Sequence, residues 1–456
     1  MEVKLTDCYT LSDGKALMSG TEALVRLLLE QSRIDRLNGL RTKGLVSGYP
    51  GSPLGGLDIA LGKAKAFLDE EGIHFQPAVN EELAATALWG SQHINLYDNP
   101  DIQGVFSMWY GKGPGLDRAM DALRHANQGG VAPHGGMVIA VGDDPTGKSS
   151  TLAYQSDQNF HSLGIPYFFP KNVSDIIPMG LEAFALSRYS GCCVGLKIVV
   201  DTADSNAVVD MSKLRPSLPI LKPNSLVHVT KHDPASVRES KLHDVRLPAV
   251  QTWCENSENV AQVYLPAKKG ETRLGIIGVG KIANEVNEAL AGLLPDRGKK
   301  NTVAFTAINM PWPLPEKKIS TMLSVVEEVL VIEEKRSFVE EQIAKICLKQ
   351  DRHILLSGKT NPDGANLLPS YGELSLEDIL NVIAARASHH SIALNPIEKA
   401  PVVSPLSEIP IRQPYYCAGC PHNSSTKVSD DEIVGMGIGC HSISGFINPD
   451  TITNFT

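Results

Sequence analysis

The chain has 456 residues, of which 42% are hydrophobic and 20% charged, with a formal net charge of −9. That length holds two to four domains at roughly 100–200 residues each, and the composition is that of a globular rather than a disordered protein. The negative balance argues against a nucleic-acid or anionic membrane surface, either of which needs a basic patch. No run approaches the roughly 20 apolar residues that span a bilayer, and the opening MEVKLTDCYT lacks the apolar core of a secretory signal. A cytoplasmic location is therefore expected.

Taken in chain order, Ser19 and Glu22 have the spacing of a capping box and predict a helix over EALVRLLLEQ. Apolar runs at 44–49, 73–79, 102–110, 136–142 and 193–200 read as strands, and LGGLDIALGKAKAFLDEEG and LDRAMDALRHANQ lie between them as helices. Strands alternating with helices imply a doubly wound α/β fold around a parallel sheet. Ligands then bind at the carboxyl ends of its strands. Residues 205–270 carry Pro216, Pro219, Pro223, Pro234, Pro248 and Pro266 and read as the end of this domain and a connection. A second α/β block follows over about 271–387, with strands at RLGIIGV, TVAFTAI and EVLVIEE. The Pro-rich stretch from Pro396 to Pro414 reads as a linker. The last 40 or so residues begin something new, and the closing TITNFT has no terminal helix or cap.

Three motifs compete for the chemistry. GDDPTGKS, residues 142–149, matches the P-loop pattern, and Asp201 after LKIVV passes for a magnesium-holding acid. A P-loop aims backbone N–H groups at phosphates, however, and Pro145 has none. Asp143 and Asp144 would also repel a polyphosphate by about 4 kcal/mol per unit charge at ~4 Å and an effective dielectric near 20. A polar loop at a strand end is the simpler reading. GVGKIA, residues 278–283, has dinucleotide-like glycines, but the following acid, Asp296, falls in a loop, so tight strand–helix packing explains them.

The third motif is a group of cysteines. Cys8, Cys192, Cys193, Cys254 and Cys347 are scattered and read as small core residues. Cys417 and Cys420 form a C-x2-C pair, and Cys440 follows 20 positions after Cys420. This spacing suits zinc, with His422 or His441 as a further ligand, or an iron–sulfur cluster. Pro421 between Cys420 and His422 excludes covalent haem attachment.

Read in order, GYPGSP (48–53), VNEELA (79–84), GKGPGLDR (111–118), the DDP loop, PLP (313–315), VLVIEEKR (329–336) and CAGCPHNSSTK (417–427) resemble the indolepyruvate branch of the 2-oxoacid:ferredoxin oxidoreductases, in its long fused form. The resemblance covers almost the whole chain. It implies a pyrimidine-binding domain for thiamine diphosphate at 15–245, a transketolase C-terminal-like domain at 270–395, and at 412–456 the start of a diphosphate-binding domain with iron–sulfur ligands. It implies oxidative decarboxylation of an arylpyruvate or other 2-oxoacid to an acyl-CoA, with electrons passed to ferredoxin, by a homodimer. The family's pyrimidine-contacting glutamate falls on Glu81, its substrate-carboxylate residue on Ser52, and its cofactor loop on Tyr49, Pro50 and Gly51. Three of its four ligands to a 4Fe–4S cluster fall on Cys417, Cys420 and Cys440. The fourth ligand and the Mg2+-diphosphate motif are expected beyond Thr456, so this stretch alone is expected to be inactive. The arginine that holds pyruvate in related enzymes has no counterpart near the DDP loop, which leaves Lys148 as a guess for the carboxylate partner.

Helix geometry separates the two adjacent glutamates. With Asn80 as N-cap, Glu81 shares a face with Ala84, Ala85 and Leu88, whereas Glu82 shares one with Thr86 and Trp89. Glu81 should point inward, where a carboxyl group can share a proton with a ring nitrogen. Without the resemblance, both read as surface acids favoured by the helix dipole. Ser52 reads equally as a simple N-cap of the helix around Leu54–Leu68. Lys112 and Arg118, in the GKGPGLDR turn, can hold an anion or cap a loop. Two further classes stay open: a P-loop ATPase that needs Lys148, and a non-catalytic zinc-bound scaffold on the three cysteines.

Overall fold

The computed structural model describes residues 4–98, 100–148, 150, 152–222, 224–265, 273–294, 303–351, 353–396, 414–429, 431–432, 434–437, 439–447, 449 and 452–454. The chain divides into two compact units, Met1–Ile397 and Glu398–Thr456.

In the first unit, β1 (Lys15–Ser19) leads into the helix Gly20–Leu37, and the Ser19–Glu22 capping box forms as its spacing predicts. Six strands follow: β2 (Thr42–Gly48), β3 (Ile73–Phe75), β4 (Gly104–Lys112), β5 (Met137–Asp143), β6 (Tyr167–Phe168) and β7 (Val194–Val199). They form a six-stranded sheet in the order β3-β2-β4-β5-β7-β6, parallel throughout. β8 (Asn206–Asp210) returns antiparallel to β1, a two-stranded ribbon that the sequence pattern does not show.

Alternation along the central strands feeds two cores. Phe106, Met108 and Tyr110 of β4, with Val138 and Ala140 of β5, face the helices Gly20–Leu37 and Val173–Ser190. Trp109, Met137, Ile139 and Val141 face the other way, into a core that also takes Ile277, Val279, Ile308 and Val331 from the second block. Both faces are covered, which is why these strands read as unbroken apolar runs. The shared core makes the two α/β blocks parts of one compact unit.

From Ala235 to Asn256 the stretch expected as a connection is helical. Ala235–Lys241 and Leu247–Asn256 are helices joined by a π turn over Leu242–Arg246. Trp253 Nε1 and Ser257 Oγ donate to buried Glu182 at 2.9 and 2.5 Å and tie this segment to the helix Val173–Ser190. Arg246 is fully buried and donates to the carbonyls of Val227, Gln128 and Gly129 at 2.6, 2.7 and 3.1 Å. Gly130 makes room for it: a Cβ there would lie 2.4 Å from Arg246 Nη2, and its φ of +86° also favours glycine. Pro234 is the N-cap of the first of these helices and Pro248 lies in the first turn of the second, so these prolines start helices rather than interrupt them.

The second block is a mixed sheet of β9 (Ala261–Tyr264), β10 (Leu274–Val279), β11 (Val303–Ile308), β12 (Glu328–Ile332) and β13 (Leu355–Ser357). Its order is β13-β12-β10-β11-β9, with β9 alone antiparallel. The GVGKIA glycines are packing residues, since a Cβ on Gly278 would lie 2.7 Å from Ala283 Cα of the helix Lys281–Leu293. Residues 397–413 of the expected Pro-rich linker lie outside the described residues. In the second unit, the helix His422–Ser425 precedes a parallel pair, β14 (Val434–Met436) and β15 (Ile452–Asn454). Among the described residues no helix is long and apolar enough to cross a membrane.

Arg246→Ala should leave several buried carbonyls without a donor and destabilise the fold by about 3 kcal/mol or more. The denaturant midpoint measures this, and a change below about 0.5 kcal/mol would show that the carbonyls find other donors.

Candidate functional site

Parallel pairing brings the carboxyl ends of β2, β3, β4, β5 and β7 to one edge. The Gly-rich and charged segments of the first block follow those ends.

The segment after β3 carries Glu81. Asn80 caps the helix Glu81–Ser91 by accepting from Leu83 N at 2.9 Å. Glu81 is 7% exposed and lies on the buried face with Ala84, Ala85 and Leu88, while Glu82 faces out. The Glu81 carbonyl accepts from buried Trp109 Nε1 at 2.9 Å, which fixes the start of this helix against β4. The carboxylate meets Arg118 Nε at 3.7 Å, an ion pair too long for a hydrogen bond. It rests on the first turn of the helix Gly113–Gly129, where a Cβ on Gly115 would lie 2.8 Å from Oε1.

The loop after β2 is the GYPGSP turn. A Cβ on Gly48 would lie 2.1 Å from the Tyr110 carbonyl, so glycine lets the loop cross the end of β4. Tyr49 N donates to that carbonyl at 3.2 Å, and Tyr49 and Pro50 are exposed. Gly51 lies against the stem of Lys112, with a Cβ there 3.0 Å from Lys112 Cδ. Ser52 is half-buried and precedes a cis Pro53, which packs with Leu54 on Gly142 of β5. The following helix, Leu57–Lys63, starts at Gly56, so Ser52 is not its N-cap. That reading is corrected; the expected single helix around Leu54–Leu68 is also two, the second being Lys65–Glu70. GKGPGLDR is likewise no turn: Lys112 ends β4, and Gly113 begins a 17-residue helix with Pro114 in its first turn.

The DDP loop after β5 is held from within. Asp143 accepts from Ser156 N and Oγ at 2.9 and 2.8 Å, and Lys197 lies 3.5 Å away. Lys197 pairs at 2.6 Å with Asp157, which also accepts from Tyr167 at 2.5 Å. Burial pushes the Asp143 carboxyl up, against the pull of Lys197. Burial works the same way on Asp157, but Lys197 overcomes it and holds that group low. For Lys197, burial lowers and the two aspartates raise, with a net rise. Asp144 Oδ1 accepts from Thr146 N and Lys148 N at 3.3 and 3.1 Å, closing the turn on itself.

This geometry removes the P-loop reading. Among the described residues after β5, no helix begins before Asp157–Leu163. Lys148 is tied at 2.8 Å to Glu373, so it is spoken for as a substrate partner too. Asp201 pairs with Lys281 at 2.6 Å rather than facing a nucleotide site.

In the second unit Cys417 and Cys440 are exposed, and half-buried Cys420 has its Sγ 3.3 Å from His422 Nδ1. Two thiolates on one zinc lie about 3.8 Å apart, given Zn–S bonds of about 2.3 Å. The three sulfurs are not gathered within 4.8 Å of one another; among the described residues Glu328, His389 and His390 are the group that is. That group is a satisfied ion pair, with Glu328 accepting from Arg386 twice at 2.7 Å, from Ser357 at 2.5 Å and facing His390 Nε2 at 2.8 Å. A four-iron cluster binds each cysteine to a different iron and does not require the closer spacing.

Sequence reading missed the Trp109–Glu81 tie and the Asp143–Lys197–Asp157 group, because neither has a local spacing. The glycines of GKGPG were the available signal: Gly115 admits the Glu81 carboxylate, and a Cβ on Gly113 would meet the Tyr154 ring at 2.0 Å.

A family model described as an indolepyruvate oxidoreductase domain matches residues 266–402. The indolepyruvate oxidoreductase subunit IorA of Methanothermobacter marburgensis is 27% identical over 455 residues, covering 97% of this chain and 66% of its own length. The subunit of the same name from Pyrococcus abyssi is 25% identical over 463 residues, covering 97% of this chain and 64% of its own. The chain thus spans somewhat less than two thirds of these relatives. Among solved structures, a 2-oxoglutarate:ferredoxin oxidoreductase from Magnetococcus marinus, with 2-oxoglutarate, coenzyme A and succinyl-CoA bound, has a TM-score of 0.54 at 17% identity. The match covers 82% of this chain and 65% of that one, and at such identity it carries the fold alone.

Gly115→Ala probes the contact at the centre of the site. Replacing a helical glycine by alanine ordinarily stabilises by about 0.5–1 kcal/mol. Here the new methyl group meets the Glu81 carboxylate, so the single variant should lose stability, whereas in a Glu81→Ala background it should gain. Coupling of about 1 kcal/mol or more in this double-mutant cycle is expected, and additivity would mean that the two residues do not touch.

Proposed function

The chain is homologous to the indolepyruvate oxidoreductase subunit over 97% of its length, and from that premise we propose that it provides the pyrimidine-binding half of a thiamine-diphosphate-dependent 2-oxoacid:ferredoxin oxidoreductase. The observation that carries this reading is Glu81, a carboxylate 7% exposed at the carboxyl edge of a parallel sheet whose nearest partner is an arginine 3.7 Å away. A buried carboxyl group with no close donor among the described residues fits a ligand that presents a ring nitrogen with which it can share a proton. The glycine beneath it, Gly115, is what admits the carboxylate over the first turn of the next helix.

On this reading residues 15–245 form the pyrimidine-binding domain, 270–395 the transketolase C-terminal-like domain, and 412–456 begin the diphosphate-binding domain. Thiamine diphosphate, when bound, supplies the carbon nucleophile that lets a 2-oxoacid lose carbon dioxide. Glu81 would share a proton with the pyrimidine ring. Tyr49, Pro50 and Gly51 would line the ring beside it, and Ser52 would offer its hydroxyl to the substrate carboxylate. Cys417, Cys420 and Cys440 supply three of the four thiolates that a 4Fe–4S cluster needs. The products are an acyl-CoA, carbon dioxide and two electrons for ferredoxin, formed from indolepyruvate or another arylpyruvate by a homodimer whose Mg2+-diphosphate ligands lie outside this stretch.

The full-length protein, given indole-3-pyruvate, coenzyme A and a low-potential dye, should reduce the dye only when thiamine diphosphate is present. Glu81→Gln should lower that rate by about 100-fold or more with its melting curve unchanged. Dye reduction that ignores thiamine diphosphate, or a Glu81→Gln enzyme as fast as the parent, would contradict the assignment.

A further inference from the structure

The site as described has an acid for the cofactor, while Lys148, the expected cation for an anionic substrate, pairs with Glu373. We propose that Lys112 is the residue that binds the carboxylate of the 2-oxoacid, an inference that rests on the function proposed above and names the substrate contact of that site.

Position is the first support. Lys112 is the last residue of β4, between the loop that follows β2 and the loop that follows β5, its two hydrogen-bonded neighbours in the sheet. Its stem lies along Gly51, with Cδ, Cγ and Cβ at 3.0, 3.2 and 3.5 Å from where a Cβ on residue 51 would sit. Gly51 adjoins Ser52, so the lysine stem packs against the loop that carries the hydroxyl assigned to the substrate carboxylate.

Charge is the second support. Three other cations at this edge are closely paired, Lys197 with Asp157, Lys281 with Asp201 and Glu373, and Lys335 with the Pro145 carbonyl, while Arg118 keeps a looser 3.7 Å contact with Glu81. Among the described residues Lys112 has no carboxylate within ion-pair distance. It also occupies the N-cap of the 17-residue helix Gly113–Gly129, which has no side-chain cap. A cation at the positive end of a helix dipole is unfavourable by itself and becomes favourable once an anion sits between the two. The aspartates that would repel such an anion are turned away, Asp143 onto Ser156 and Lys197, and Asp144 onto its own turn.

The occupant is assigned as the substrate carboxylate rather than the cofactor diphosphate, and the test separates them. Lys112→Met keeps the stem against Gly51 and removes the charge, and Lys112→Arg keeps a charge. In the full-length enzyme with indole-3-pyruvate varied, Lys112→Met should raise KM roughly 10- to 100-fold with kcat changed far less, as loss of a charged hydrogen bond requires. Lys112→Arg should recover most of this, and calorimetric Kd values for thiamine diphosphate should be unchanged in both. An unchanged KM in Lys112→Met, with thiamine-dependent turnover intact, overturns the Lys112 assignment and leaves the proposed function standing. A weakened thiamine diphosphate Kd gives the anion to the cofactor and overturns it as well. If Lys112→Met does not fold, Lys112→Gln replaces it under the same criteria. Absence of any thiamine-dependent turnover in the parent enzyme removes the proposed function, and this inference with it.

Discussion

The structure turns on the burial of one carboxylate over the first turn of a helix. Removing such a group from water costs several kcal/mol. The dipole of the helix Gly113–Gly129 returns about 0.3–1 kcal/mol, or about 2 in a partly buried setting. Arg118, 60% exposed and 3.7 Å away, adds little through a solvent-screened contact. Glu81 stays on the buried face of its helix with the Arg118 contact as its side-chain partner among the described residues. Asn80, Trp109 and Gly115 each help to place this one residue, by capping its helix, gripping its backbone carbonyl and clearing space for its side chain.

The rest of the unit keeps that edge rigid. The second block does not hang from a linker; it shares a core with the first through Ile277, Val279 and Val331. Ion pairs reinforce the junction: Lys281 reaches both Asp201 after β7 and Glu373, and Glu373 reaches Lys148 in the DDP loop. Burial pushes Glu334, beside this group, up to about 7 against the pull of Lys281 and Lys197. Such pairs add little net stability but fix one arrangement of the loops. The DDP loop is therefore a structural brace, and its P-loop spelling follows from glycine and lysine placed for other reasons.

Much of this was legible in the residues. The Ser19 capping box, the Asn80 cap and the inward face of Glu81 are local patterns of three to seven residues, and the structure has them as read. The parallel sheet followed from apolar runs separated by helical stretches. What escaped was non-local. Pro216 to Pro266 suggested a linker because prolines mark turns, while the tie of Trp253 to Glu182 across 71 positions has no sequence signature. Lys112 was left beside Arg118 without a role because only the fold shows which cations already have partners. The N-cap reading of Ser52 fell only when the next helix proved to be capped at Gly56.

The central claim concerns a proton between Glu81 and a pyrimidine nitrogen. The 15N chemical shift of that ring nitrogen in labelled thiamine diphosphate, bound to the full-length protein, reports it directly. The expected result is a protonated, hydrogen-bonded nitrogen in the parent protein that reverts toward the free value in Glu81→Ala. A shift equal to that of the free cofactor in both proteins would contradict the account.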